Sequence, residues 1–121
     1  MTAVAEAPAF TAARRGDLVV VHEHVRDYVI GQGASEYDRY EVGVVTKVTR
    51  DGLVKRYTGT WGSEVTIRGH VRCQLVPRAA VDVAGAFAAA KAHTWPGHPA
   101  QPKAYESLEE VRAAVRPFRR S

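Results

Sequence analysis

A chain of 121 residues that is 45% apolar and 25% charged has the balance of an ordinary globular domain, which excludes wholesale disorder. One cysteine excludes an intrachain disulfide framework and a Cys-rich zinc site, and the lack of any run of about 18 apolar residues excludes a conventional transmembrane helix. The net charge of +4 is polarised: residues 17–38 carry one cation against five acids, whereas residues 39–78 carry eight cations against three. Such a split implies either an anionic partner or neutralisation of one half by the other.

Residues 1–15 are Ala-rich with Pro8 and read as a flexible N-terminal arm. They lack the basic start and apolar middle of a signal peptide, so a cytoplasmic setting without a membrane partner is expected. Gly16-Asp17 marks a turn into Leu18 to Val25, a short β-branched run suited to a strand buried partly on both faces. Arg26 to Asp38 contains Gly31, Gly33, Ser35 and three acids and reads as a long polar loop. Tyr40 to Thr49 keeps a period of two, which predicts a strand with Val42, Val44 and Val48 inward and Lys47 outward. Arg50-Asp51-Gly52 makes a hairpin turn to a return strand at Leu53 to Thr58. Val65 and Ile67, then Val71, Cys73 and Leu75, alternate with polar residues as two further strands, closed by Pro77. Five short strands in this order predict a small closed β-barrel over residues 16–77.

The remainder, residues 78–121, changes period and predicts a helical extension packed on the barrel through Val83, Phe87, Leu108, Val111 and Val115. Asp82 is positioned to cap one helix running to about His93, and Ser107 with Glu110 three residues on has capping-box spacing for a second. Thr94 to Pro102 holds Pro96, Pro99 and Pro102 and predicts an extended connector. Pro117 stops the second helix.

From Gly16-Asp17-Leu18-Val19-Val20-Val21 through Val42-Gly43-Val44-Val45 to Arg50-Asp51-Gly52, the chain resembles an SH3-like barrel of the KOW or tudor sort. The resemblance implies a mainly β fold with C-terminal helices and a binding module for RNA, DNA, peptides or proteins. The whole chain, with its Thr94-Trp95-Pro96-Gly97-His98 connector, is also similar to small accessory proteins of actinobacterial mobile elements, which implies a bacterial cytosol.

Two binding chemistries compete on such a scaffold. Alternation turns Lys47, Arg68 and Arg72 outward. A two-residue hairpin loop sets Lys47 opposite Arg56, and a three-residue loop sets it opposite Lys55. Either pairing opposes like charges, which an intervening phosphate would relieve. With Tyr57 and Trp61 offering stacking faces, the leading expectation is nucleic-acid binding, DNA or RNA, by Lys47, Lys55, Arg56, Arg68, Arg72, Trp61 and Tyr57. The alternative is a protein-interaction surface built from Tyr28, Tyr37 and Tyr40 around the acidic loop 26–40.

Other chemistry lacks a frame. His22 and His24 share a strand face, yet local spacing places no third metal ligand. Cys73 alternates inward as a small apolar residue. Gly31-Gln32-Gly33 lacks the third glycine and the strand-to-helix setting of a nucleotide fingerprint. The sequence assembles no acid, base and nucleophile. A non-enzymatic module without metal or cofactor is therefore expected.

Overall fold

The computed structural model describes residues 12–49, 54–58, 64–67 and 72–120; at Val29, residues 55–58 and Glu64 it describes the backbone alone. Among the described residues the chain is mainly β, with two short helices. Five strands, β1 (Leu18–Val29), β2 (Gly33–Val48), β3 (Val54–Thr58), β4 (Glu64–Ile67) and β5 (Arg72–Val76), form one antiparallel sheet in the order β4-β3-β2-β1-β5. Helix α1 (Val83–Ala92), a hairpin of β6 (Thr94–Trp95) and β7 (His98–Pro102), helix α2 (Leu108–Val115) and a 3-10 turn at Arg116–Phe118 follow.

The apolar run at the start of β1 explains how the sheet is covered. Val19 and Val21 point to one face and pack with Val45, Val54, Ile67, Cys73 and Ala13. Leu18 and Val20 point to the other and pack with Val42, Val81, Ala86, Tyr105, Val111 and Val115. Four consecutive apolar residues thus serve two cores, as the doubly buried reading of this run expects. The arrangement corrects the closed barrel: no ladder joins β4 to β5 among the described residues, so the sheet is open. The second face is sealed by helices, which gives Leu18, Val20 and Val42 an apolar partner outside the sheet.

The inward set of β2 also differs from simple alternation. Val42 faces the helices, Val45 faces the other core, and the ladder to β3 shifts between Val45 and Lys47. This β-bulge falls at Thr46, and Val48 then pairs with Val54. Lys47 stands opposite Lys55 and not Arg56; the turn residues Arg50-Asp51-Gly52 lie outside the described residues.

The largest correction concerns residues 26–38. They are no loop but the distal half of a long β-hairpin, with β1 and β2 in unbroken register from Leu18↔Val44 to Val29↔Gly33. Gly31 and Gly33 adopt positive φ (88° and 80°), which lets the chain reverse within Ile30-Gly31-Gln32. The strands persist beyond the cores because their polar side chains pair across the ladder, not because they bury apolar surface.

The helical caps follow the sequence. Gly85 N–H donates to the Asp82 carboxylate at 3.3 Å, and Glu110 N–H donates to Ser107 Oγ at 3.2 Å. The Glu110 carboxylate accepts from Glu106 N–H at 2.8 Å, one residue before the cap. Val83, Leu108, Val111 and Val115 pack on the sheet as expected; Phe87 does not join that cluster. Ala86 and Ala90 set the buried stripe of α1, which rotates Phe87 beneath the Lys91 ammonium, 5.8 Å from its ring centre. The connector at 94–102 is the β6–β7 hairpin, reversed at Gly97 with φ 80°. Among the described residues no helix is long and apolar enough to cross a membrane.

Candidate functional site

Past His22 and Tyr40 the β1–β2 hairpin leaves both cores and becomes a two-stranded ribbon. On one face it carries His22, His24 and Arg26 from β1 opposite Tyr40, Asp38 and Glu36 from β2. His22 Nε2 and His24 Nδ1 both donate to Asp38 Oδ1 at 3.0 Å, and Arg26 Nε donates to Glu36 Oε1 at 2.7 Å. The His22 ring stacks on Tyr40 with centroids 4.5 Å apart. On the opposite face the Tyr37 hydroxyl donates to Asp27 at 3.1 Å. These contacts set the ionisation of the ribbon. The Asp38 and Glu36 carboxylates hold the His24 imidazole above its ordinary value. In turn His22 and His24 hold Asp38 below the usual carboxylate range, and Arg26 and His24 do the same for Glu36.

A groove of about 700 Å³ adjoins the β2 side of this ribbon, within the ~300–1,000 Å³ typical of ligand sites. Tyr37, Asp38 and Arg39 form one wall; Trp95 and the segment Pro102 to Glu106 form the other. The two walls are tied at one end, where Tyr40 and Tyr105 exchange both backbone hydrogen bonds at 2.8 Å. Tyr105 stacks on His93, at the C-terminal cap of α1, with centroids 4.2 Å apart. Lys103 lies over Trp95, its ammonium 5.4 Å from the ring centre and 3.4 Å from Glu106. Trp95 stays 48% exposed and Tyr37 47%, so the groove offers aromatic faces to solvent.

The three tyrosines read from the sequence are not brought together. Tyr37 lies on one ribbon face; Tyr28 and Tyr40 lie on the other, about 20 Å apart at ~3.3 Å per residue. Tyr37 lines the groove with Trp95 and Tyr105 instead. Their part went unread because aromatic neighbours from separate elements leave no local spacing. Tyr28 (74% exposed) and Ile30 (91%) form an apolar tip to the ribbon.

The basic set is spread. Lys47 is exposed at the far end of β2, opposite Lys55, and Arg72 is exposed opposite His22 at the ribbon end of the sheet. Strand rise places Lys47 and Arg72 about 20 Å apart along the sheet. Arg56 and Tyr57 pair with Val65 and Glu64 in the β3–β4 ladder. Arg68 and Trp61 lie outside the described residues. Cys73 is buried in the core that holds Val19. Among the described residues no group of three metal-ligating side chains is placed to hold an ion.

Comparison with known proteins gives no match to a family model, to a curated protein or to a solved structure.

Proposed function

We propose that this chain is a non-enzymatic protein-interaction module that grips a peptide segment between its β1–β2 ribbon and the Trp95 wall. The observation that carries the reading is the groove itself: solvent-facing Trp95 and Tyr37 beside a ribbon that belongs to neither core. Aromatic side chains supply large contact area at small entropic cost, which suits them to peptide recognition. The strand order, a β1–β4 meander with β5 returning to β1, supports keeping the SH3-like resemblance as an opened form of that barrel. A randomised peptide library panned on the intact chain tests the reading. Enriched peptides should lose at least ten-fold in affinity on Trp95→Ala or Tyr37→Ala. Enrichment of none, or indifference of all binders to both substitutions, refutes it.

A second reading, nucleic-acid binding in the cytoplasm, draws support from the Lys47–Lys55 register. Two lysines at directly opposite ladder positions are a like-charge pair that an anion would relieve. Gel-shift affinity for mixed oligonucleotides would then fall steeply with salt and disappear in Lys47→Glu.

A further inference from the structure

We propose that the outer edge of β2 accepts an added strand, an extended partner segment with Lys or Arg at alternate positions laid along Glu36–Asp38 in the Trp95 groove. The proposal rests on the protein-interaction reading and names its partner class.

Tyr40 fixes the geometry of the edge. Its N–H and its carbonyl both point away from β1, to Tyr105. Alternate residues of an antiparallel strand turn both backbone groups to one side, so Asp38 and Glu36 present theirs to the same edge. The chain's own segment does not follow them. After Tyr105, Glu106 N–H is taken by the Glu110 carboxylate and Ser107 caps α2, which leads the backbone away. Among the described residues no strand pairs with Asp38 or Glu36 on this side. An edge with unpaired donors and acceptors is a template for another strand, and the groove leaves room for one.

Charge selects the occupant. Residues of an added strand would stand directly opposite Glu36 and Asp38 on one face. On that face the Arg26, His22 and His24 contacts all fall on Glu36 Oε1 and Asp38 Oδ1, so an added cation would approach each carboxylate at its second oxygen. A second copy of this chain fits badly: two-fold pairing about Tyr37 opposes Glu36 to Asp38, and pairing about Glu36 opposes it to itself. Like charges directly opposite destabilise a ladder, whereas cations two residues apart would meet each carboxylate. The residue between them faces the Tyr37 side, where an apolar side chain suits the aromatic walls.

The test uses a labelled, capped Lys-Val-Lys-Val-Lys-Val-Lys peptide, its Glu-for-Lys counterpart, and two N-methylated forms, read by fluorescence anisotropy on the intact chain. In the proposed register the Lys amides point at β2 and the Val amides point away. The Lys peptide should bind at least ten-fold more tightly than the Glu peptide. Methylating the Lys nitrogens should cost at least ten-fold; methylating the Val nitrogens should cost little. Glu36→Gln with Asp38→Asn should erase the preference for Lys but keep the sensitivity to methylation. Equal binding of both methylated forms, or of Lys and Glu peptides, overturns strand addition while leaving Trp95-dependent library binders to uphold the broader reading. Failure of designed and library peptides alike overturns both.

Discussion

Asp38 joins the two histidines of the ribbon, and its pairing makes the ribbon's stability depend on pH in a defined sense. His24 is raised above 6.5 by its carboxylate neighbours, so its contribution is complete below that value and fades as pH rises through the raised one. Asp38 and Glu36 are lowered from 3.8 and 4.5, so their contributions hold above those values and fade as acid protonates them. The ribbon should therefore be held most firmly between about pH 4.5 and 6.5. Amide exchange of residues 23–39 should be slowest there relative to the cores. The His24 ring, followed by NMR, should titrate at lower pH in Asp38→Asn; an unchanged midpoint would refute the pairing. Asp17 is a buried carboxylate used as a structural pin. It accepts from Arg14 N–H at 3.0 Å and Arg78 N–H at 3.2 Å, fastening the entry of β1 to the segment that leaves β5. Asp17→Ala strands both donors and should cost about 1–3 kcal/mol in urea denaturation, with Asp17→Asn milder.

Among the elements, the helices were legible because their signals are local. Asp82 and Ser107 declare where each begins, and Leu108, Val111 and Val115 declare a buried stripe. The ribbon was not legible. Glycine, serine and acids between Arg26 and Asp38 resemble a loop until Arg26 is set opposite Glu36 and His24 opposite Asp38, a register that only the fold supplies. The bulge at Thr46 escaped for a related reason: the valines of β2 serve two cores, so no single alternation describes them. The propensity scale misleads at Gly85 as well. Alanine is the better helix former by about 1 kcal/mol. Yet a Cβ there would stand 2.7 Å from Phe118 Cδ1 and from the Asp82 carboxylate that caps the helix. Gly85→Ala should therefore destabilise, by about 1–3 kcal/mol of overpacking, and a raised melting temperature would refute that contact.

At the scale of the whole molecule, one sheet separates two cores, and β1 and β2 run through both before leaving them. Neither core includes a residue between Glu23 and Arg39. The ribbon thus adds no apolar residue to either core, the mark of a segment of low local stability. Removing residues 24–38 and joining Glu23 to Arg39 through Asn-Gly keeps the register, because those two residues are opposite each other in the ladder. The His22–Tyr40 stack and the Tyr40–Tyr105 bridge both lie inside the retained part. The shortened chain should unfold cooperatively with a stability within about 1 kcal/mol of the full chain. Groove binders should be lost from it, since Tyr37 and Asp38 go with the ribbon. Oligonucleotide binding through Lys47 and Lys55 should survive, because that pair lies at the other end of β2. Collapse of the shortened chain would instead make the ribbon part of the folding unit.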